Sequence, residues 1–524
     1  PVENHIITYD LDVDVVLSVE ALHATSSTVI IPIELHSLFG DLSWSLEIDL
    51  DGDGSFEAGD DVLGDARIAS MPNARRGRDG ERVITPPYAG ILEAVLDNRA
   101  GQANPDAGVI KGRRVRFRET GGWDGTPRDL WHGLLDQPQR QRTKSDSVVK
   151  ITAFGELSRV AGRTCPPSEL YEGIRTDEAL EVILDSIGHD APRIFDEGAT
   201  TLNYFWLGDS SGAPDAWAKM MEVFNAEGPG AQLFEDGEGN IVFRNRHSLL
   251  TDARSTAPQA HISDEEHVAS HRDIVYDDGL LSVINYAEVE VNIREEGAPA
   301  VVWEHGAGNI VVSPGAEITL NAVIPSGLIV KDAIAPSEGG GDYTVVSGSG
   351  TVTLPVRDSG GIIPIVITAG GGGFTISDLK LRATPIPVVS TQTLSTTNPP
   401  VNDDRRTFDR PLSKEIGAGF AQSIADAIPA WWGSGRPSIR NIELIGTGNY
   451  KIGVQLETQI GDRITITDST NELEGVDFWV MDMKYQLIPS VPRRLSTWYY
   501  CEIADTNVYA TWDNALWDEG IWGF

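Results

Sequence analysis

The sequence predicts a mainly β, multidomain (α+β) protein with two related β-barrel domains, a small α/β domain and an inserted β-sandwich. Three observations lead to this prediction. Apolar and polar residues alternate at period two along most of the chain, which is the pattern of strands with one buried face. The 54 Gly and 29 Pro among 524 residues supply many turns. One strand pattern also occurs twice, near residues 112 and 461.

Each copy of this pattern begins with a glycine at a predicted turn and continues with an arginine and alternating apolar residues. After a gap, an apolar residue followed by tryptophan opens a second alternating strand. The first copy is Gly112–Arg118 with Leu130–Asp136, and the second is Gly461–Thr467 with Phe478–Met483. Two matching hairpins near the two ends of one chain predict two related β-domains. Such a duplication gives a ring of few chains a higher pseudo-symmetry than its subunit count.

Changes of composition and pattern divide the chain into seven segments. They are an N-terminal arm (1–40), the first barrel (41–162), the small α/β domain (163–250), a connector with the start of the second β-unit (251–296), the inserted sandwich (297–390), a linker, helix and second barrel (391–490), and an aromatic C-terminal tail (491–524).

In the first half, strands at Ile91–Leu96 and Val148–Phe154 flank the first hairpin and complete the first barrel. The α/β domain contains two predicted helices. One runs from Thr176 to Ile187, with polar residues at its start and Gly188 at its end. The other, from Pro214 to Phe224, has an apolar face.

In the second half, residues 251–273 are polar and are predicted as a connector, and Val283–Ile293 is predicted to start the second barrel. Short strands, Gly/Ser turns and few charges over residues 297–389 predict the sandwich. After a helix that begins at Pro411, strands at Ile439–Leu444 and Tyr450–Leu456 lead into the second hairpin. The aromatic tail fits either a packed core or a docking surface.

The charge balance excludes some partners. With 78 acidic and 41 basic residues the net charge is -37, which argues against gripping nucleic acid or binding an anionic membrane. DNA that only passes by is compatible with a wall of like charge; solubility or a salty habitat explains the acidity equally well. No apolar run has the length of a membrane span, and no signal peptide opens the sequence. Cys165 and Cys501 are predicted to be ordinary thiols.

One acidic loop has the spacing of a calcium site. Calcium prefers several carboxylate and carbonyl oxygens, and acids at every second position before a glycine let a loop wrap the ion. The twelfth position holds Asp instead of the longer Glu, and an Asp-Gly hairpin turn is the alternative. The predicted ligands are Asp49, Asp51, Asp53, Ser55, Glu57 and Asp60.

Two other patterns carry weaker predictions of chemistry. Gly208–Gly212 matches a Gly-x-Ser-x-Gly elbow around Ser210, yet a turn before a helix explains it without catalysis, and no partner His or acid can be assigned. His261, His267 and His271 could bind a metal, although the acids between them also suit a helix start. We therefore predict no catalytic residues and no required cofactor.

The order of several motifs resembles the baseplate or tail hub proteins of long-tailed bacteriophages, also called tail-associated proteins. The motifs are IDLDGDGSFEAGDDV, ARRGRD followed by AVLDNRAGQANPD, GRRVRFR followed by LWHGLLD, VKITAFGELSRVAGR, TDEALEVILDSIG, AQLFEDGEGNIVFRNR and IGDRITI. The resemblance covers most of residues 41–290 and 405–490. Residues 1–40 and the sandwich match less well and look like additions.

The resemblance implies a non-enzymatic, structural virion protein at the tail tip, assembled in the host cytoplasm. It implies a homotrimer whose six barrels face a hexameric tail tube. The implied partners are the distal tail or tail tube protein, the tape-measure protein, and tip or receptor-binding proteins, with DNA only in transit. The sandwich would hold a tip partner or take part in host attachment. Arg113, Arg114, Arg116 and Arg463 would then pair with acids at barrel edges or remain solvated.

Other functions also fit the sequence. Within the same structural class, the chain fits the hub of a contractile injection system or of a gene transfer particle. A secreted β protein that binds calcium and carbohydrate is an alternative from another class, and a hydrolase acting through Ser210 is a further one. A trimer that assembles with a tube protein distinguishes a hub from a secreted, monomeric glycan binder.

Overall fold

A computed structural model gives the architecture of the chain. It describes residues 43–63, 68–78, 80, 83, 86–101, 103–143, 146–210, 212–264, 269–279, 283–354, 357–397, 406–408, 410–446, 449–489, 494–504, 509–510 and 521–522. The predicted N-terminal arm lies outside these residues, as does most of the chain after residue 504.

The first barrel unit contains seven strands. They are β1 (Trp44–Ile48), β2 (Ile68–Gly77), β3 (Ile91–Asp97), β4 (Arg114–Glu119), β5 (Arg128–Leu135), β6 (Gln139–Arg142) and β7 (Ser147–Phe154). Six of them form a curved sheet in the order β1-β4-β5-β7-β3-β2, with every neighbouring pair antiparallel, and β6 adds to β7. Alternate residues of β3 and β4 are buried, as the period-two pattern predicts.

The small α/β domain follows. Its elements are β8 (Tyr171–Arg175), α1 (Thr176–Ser186), β9 (Arg193–Phe195), β10 (Thr201–Phe205), α2 (Ala216–Glu227), β11 (Gln232–Glu235), β12 (Ile241–Arg244), α3 (Ser248–Thr251) and α4 (Ala253–Thr256). Both predicted helices are present. Asp215 accepts a hydrogen bond from the Ala218 N–H at the start of α2, and Gly188 adopts the left-handed conformation just after α1.

The prediction of a polar connector at 251–273 is wrong for most of its length. This segment contains α4, the strand β13 (Pro258–Ser263) and the first part of the strand β14 (Ala269–Asp277). The polar residues conceal the strands because β14 has few buried positions, and the strands belong to the second barrel.

The predicted first strand of the second barrel belongs to a different sheet. This strand, β15 (Tyr286–Arg294), pairs with the C-terminal half of a long strand that leaves the sandwich. The next strands are β16 (Ala300–Glu304), β17 (Ile310–Val312), β18 (Glu317–Val323), β19 (Leu328–Ile334), β20 (Thr344–Thr353), β21 (Ile362–Ser377), β22 (Lys380–Thr397) and β23 (Thr407–Phe408). One sheet contains β16, β22, β15, β23 and β19, and the other contains β17, β21, β18 and β20. A separate apolar core lies inside the inserted sandwich.

The second barrel unit resumes after a helix. The elements are α5 (Ala418–Trp432), β24 (Ser438–Ile445), α6 (Asn449–Glu457), β25 (Arg463–Asp468), β26 (Leu473–Ile488) and β27 (Arg494–Ile503), followed by the short strands β28 (Tyr509–Ala510) and β29 (Ile521–Trp522). Residues 450–456 were predicted as a strand and are helical instead. The strand β27 places the first part of the predicted aromatic tail inside the barrel, with Tyr499 fully buried.

Six strands of this unit close on themselves in the order β26-β25-β13-β14-β24-β27, because β26 and β27 also pair. The fold is therefore mainly β and multidomain, with a closed six-stranded barrel. One apolar core runs through both barrel units, and a second lies between the α/β domain and α5. No helix in the described part of the chain is long and apolar enough to span a membrane.

Candidate assembly interface at the barrel edges

The two hairpins that repeat in the sequence have the same backbone geometry. The Gly112 N–H donates to the Leu135 carbonyl at 2.7 Å, and the Gly461 N–H donates to the Val480 carbonyl at 2.8 Å. Both glycines have φ +87°, in the left-handed region. The strands that follow them, β4 and β25, alternate between half-buried and buried positions in the same phase. The glycine and the first strand of the pattern are therefore equivalent in the two units.

The tryptophans of the pattern are not equivalent. Trp131 lies opposite Phe117 and packs in the core of the barrel units, whereas Trp479 lies opposite Arg463. Trp479 packs against Trp431 of α5 in the second core. Leu135 and Val480 are equivalent because each accepts the hydrogen bond of the turn glycine. Trp131 lies four residues before Leu135, whereas Trp479 lies one residue before Val480. The two rings therefore differ by three positions and point to opposite faces of their strands. The sequence match of the apolar-Trp pairs was wrong.

The equivalence extends to the whole units. The strands β1, β2, β3, β4, β5 and β7 correspond in chain order to β13, β14, β24, β25, β26 and β27, and corresponding strands have corresponding neighbours. One difference is that β1 is antiparallel to β4, whereas β13 is parallel to β25. The other is that β13 and β14 pair and close the second unit, whereas no β1–β2 ladder appears among the described residues.

The two units join edge to edge through β2 and β26. Asn73 to Gly77 of β2 pair antiparallel with Gln486 to Asp482 of β26, which extends one sheet across both units. At this joint the Arg75 guanidinium binds the Asp482 carboxylate, with Nε at 2.7 Å from Oδ2. Burial raises the pKa of Asp482 to about 8, against the opposing effect of the Arg75 charge. Arg75 also lies over the rings of Tyr88 and Tyr500, so the joint is both charged and packed.

A second buried charge network lies next to this joint. The fully buried Glu502 of β27 accepts hydrogen bonds from Trp432 Nε1 at 2.9 Å and from Arg436 Nε at 2.7 Å. It also accepts from the Val83 backbone N–H, which belongs to the first unit. The buried Arg78 donates to the carbonyls of Val83 and Ala231, and burial lowers its pKa to about 9. Cations and anions from three parts of the chain thus hold the two units in one relative position.

Glu235 of β11 connects the α/β domain to the first unit. Its carboxylate accepts hydrogen bonds from the backbone N–H groups of Gly90, at 2.7 Å, and Leu157. Gly155 lies so close that a Cβ atom there would fall 1.9 Å from the carboxylate. Burial raises the pKa of Glu235 to about 8. This residue therefore tends to keep its proton in the folded protein over a pH range in which an exposed glutamate loses it.

The first three acids of the predicted calcium loop lie close together. Ligand oxygens of Asp49, Asp51 and Asp53 lie within 4.8 Å of one another, the first of these residues buried and the others exposed. Asp60, at the twelfth position of the loop, accepts hydrogen bonds from the backbone N–H groups of Leu50 and Glu57. Both of its carboxylate oxygens therefore already have partners within the loop.

Binding of calcium by this loop stays a prediction. The Arg113 guanidinium lies against Gly52, where its charge competes with a cation. A calcium titration that leaves the melting temperature unchanged would contradict the prediction.

Two of the four predicted edge arginines, Arg116 and Arg463, make ion pairs. Arg116 Nε donates to Glu47 Oε2 at 2.6 Å, and Arg463 Nε donates to Asp477 Oδ2 at 2.9 Å. These pairs lie on the outward-facing sides of β4 and β25, at half-buried positions. They contribute to the faces of the two units rather than to a reactive site.

The other sequence candidates are not brought together. Ser210 is exposed in a tight turn closed by two hydrogen bonds between Asp209 and Gly212, between the end of β10 and the start of α2. His261 contacts Thr467 and His271 contacts Asp468 on neighbouring strands, while residue 267 lies outside the described part. Cys165 and Cys501 are both buried and unpaired.

Sequence reasoning missed the joint residues as a functional group. The motif ARRGRD contains Arg75, Arg76 and Arg78, and their partners are distant in the chain. The three arginines around Gly77 were the sequence signal for this group. Their acidic or carbonyl partners could not be identified because strand pairing between distant segments is a tertiary property.

No protein-family model matches the sequence, and no curated protein matches it. Solved structures that are similar include a tail protein from Neisseria meningitidis MC58, with TM-score 0.47 and 9% identity over 88% of this chain and 96% of that one. The 43 kDa tail protein of prophage MuSo2 from Shewanella oneidensis has TM-score 0.46 and 8% identity over 88% and 99% of the two chains. Prophage tail protein gp18 from Listeria monocytogenes EGD-e has TM-score 0.41 and 8% identity over 87% and 94%. All three are tail proteins, and the second and third belong to prophages.

Proposed function

We propose that this protein is a structural hub of a viral tail, at the tail tip of the virion. In this proposal three chains form a ring of six barrel units that connects the tail tube to the tip and receptor-binding proteins. The observation that carries the proposal is the duplication: two units with one strand order, joined edge to edge within a single chain. A trimer of such a chain presents near six-fold symmetry on one face while keeping three-fold symmetry overall.

The charge of the chain supports a passage for DNA. A net charge of -37 repels phosphate groups, so DNA moves past the ring without adhering to it. The proposal therefore predicts that the assembled ring does not retain duplex DNA in a mobility-shift assay at physiological salt. Retention that weakens steeply with added salt, as expected for phosphate contacts, would contradict this part of the proposal.

The inserted sandwich suits a peripheral role. Its core is separate from the barrel core, and Arg357 attaches it to the α/β domain through the Pro167 carbonyl. We propose that it binds a tip protein or the host surface. Because Arg294 pairs with Val388, a two-residue Asn-Gly turn can connect these positions in place of residues 295–387. The shortened chain should still form the ring, and loss of assembly on its removal would contradict a peripheral role.

Native mass spectrometry tests the proposal most simply. The expected species is three times the 56.7 kDa chain, and it should also capture a tail tube protein when the two are mixed. A chain that stays monomeric at micromolar concentration and binds glycans alone would support the secreted-binder alternative instead.

A further inference from the structure

Two strand edges of the chain are equivalent to the edges that form the joint between the barrel units, and they lack such a pairing among the described residues. In the first unit, β2 pairs along the edge of β26 that extends beyond β25. The strand equivalent to β2 is β14, and the segment equivalent to the far half of β26 is β6. The strands β14 and β6 are therefore equivalent to the two strands of the joint, and among the described residues they do not pair with each other.

The register of the strands fixes which residues correspond. Leu135 and Val480 pair with Ala153 and Cys501, so these two partners are equivalent positions of β7 and β27. Counting three residues back along both strands matches Gln139, which pairs with Lys150, to Lys484, which pairs with Trp498. In this way Gln139–Gln141 corresponds to Lys484–Gln486, which lies within the part of β26 that receives β2.

The same count along the other edge identifies the donor strand. Leu92 and Ile439 are equivalent because they pair with the equivalent residues Ala153 and Cys501. Leu92 also pairs with Ala74, and Ile439 also pairs with Tyr276. Tyr276 is therefore equivalent to Ala74. Three residues farther on, Gly77 corresponds to Gly279, and both have positive φ, at 130° and 79°. Agreement at this conformational marker, which the pairing did not use, supports the match.

Both edges are accessible in the single chain. All four residues of β6 are exposed, and within the described residues β6 pairs only with β7. Among the residues that the structure describes, β14 pairs with β13 only at Ala269 and Ser270, and Val275 is 41% exposed. By contrast, the equivalent part of β26, where β2 is present, is largely buried. An accessible edge of this kind is the usual template for strand addition.

The ends of the two edges carry charges of opposite sign. The segment β6 carries Arg140 and Arg142 and no acid, whereas β14 ends in Asp277, which also pairs with Arg440 of its own chain, followed by Asp278. Opposite charges favour the approach of one edge to the other edge of a second copy.

We propose that the β14 edge of one copy adds antiparallel to β6 of the next copy and reproduces the β2–β26 joint between chains. The equivalences place Val275 opposite Gln141 and Tyr276 opposite Arg140. Because the two edges differ, the contact is heterologous, and repetition closes a ring when the rotation allows it. This proposal rests on the proposed trimeric ring and specifies which residues form its chain-to-chain interface.

A disulfide pair tests this interface directly. Residues opposite each other in antiparallel strands have Cα atoms about 4.5–5.5 Å apart, within the range of a disulfide. The double variant Val275→Cys/Gln141→Cys should form covalent dimers and trimers under mild oxidation. Each single variant should form none, because Cys165 and Cys501 are buried. The pair Val275→Cys/Arg142→Cys is the register control, since Arg142 points to the opposite face of β6.

The outcomes separate this inference from the proposed function. Cross-linked trimers support both. A trimer by native mass spectrometry without the 275–141 cross-link overturns the interface alone, whereas a monomer overturns the proposed function as well. Hydrogen exchange of the unmodified protein gives an independent measurement. The β6 amides that do not pair with β7 should exchange slowly in the trimer, and rapid exchange there would overturn the interface.

Discussion

At the scale of single residues, buried acidic groups connect the domains. Asp482 has no solvent exposure, and its pair with Arg75 joins the two barrel units at their shared edge. Glu502 and Glu235 are likewise buried where segments from different parts of the chain meet. Burying a polar group is costly unless it is hydrogen-bonded, so each of these groups favours one relative arrangement of its neighbours.

The Arg75–Asp482 pair should respond strongly to removal of one partner. Burial already raises the pKa of Asp482 to about 8, so this carboxyl group takes up a proton when its cation is removed. Arg75→Met should therefore cost about 1–3 kcal/mol of stability, for a buried polar group that has lost its partner. The double variant Arg75→Met/Asp482→Leu should recover much of this loss, because it removes the polar group without a partner as well. Thermal unfolding measures both. Arg99→Met, at a solvated Arg99–Asp97 pair, is the control and should change little.

Glu235 should give the protein a recognisable pH dependence. A carboxyl group whose folded pKa is about 8 keeps its proton in the folded state at pH values where the unfolded chain has lost it. Stability therefore falls as the pH rises from about 4.5 to 8, with a slope of at most about 1.4 kcal/mol per pH unit for one proton. Glu235→Gln should flatten this part of the melting-temperature profile.

The exposed Glu238 in the same hairpin offers a matched control for this measurement. Glu238→Gln should leave the slope between pH 5 and 8 as it is in the wild-type protein. An unchanged slope in Glu235→Gln would show that Glu235 releases its proton at an ordinary pH despite its burial.

At the scale of secondary-structure elements, the two equivalent turns should differ in tolerance to substitution. An alanine at φ +87° is strained by about 1–2 kcal/mol in either turn. A Cβ atom at Gly461 would also lie 2.7 Å from the buried Gln232 side chain, while one at Gly112 meets nothing within 4 Å. Gly461→Ala should therefore lower the melting temperature more than Gly112→Ala. Equal effects would mean that Gln232 moves aside without cost.

Elements with strong local signals were predictable from sequence. The helix at Thr176, the strands around Ile91 and Val148, and the turn glycines of both hairpins follow from capping, alternation and turn preferences. The strand β14 was missed because a strand with one exposed edge carries charged residues and reads as a connector. Residues 450–456 alternate like a strand, and tertiary packing makes them helical.

The candidate interface was only partly predictable, because it depends on partner choice. The duplication was visible in the glycine and arginine of each hairpin, but the tryptophans suggested a false register. The strand at 286–294 looked like a barrel strand and pairs instead with β22. The pairing of all strands is needed to see which edges remain accessible. The same pairing is needed to match Gly77 with Gly279.

At the scale of the whole molecule, the duplication, the joint and the acidity are the basis of the proposed assembly. The first barrel unit pairs with the second across β2 and β26. In the proposed ring this contact is one step, and the accessible edges at β6 and β14 of neighbouring chains form the next. Three chains make six such steps in this proposal, and a net charge of -37 on each chain favours an opening that does not hold DNA.

Cryo-electron microscopy of the purified protein, reconstructed without imposed symmetry, tests this central claim most directly. The account predicts six similar barrel densities around a central opening, with alternate barrels identical and three peripheral sandwiches outside them. The boundary between chains should show a strand pairing like that of β2 with β26. Isolated chains, or a symmetric assembly in which the two barrels of a chain do not share one ring, would contradict the account.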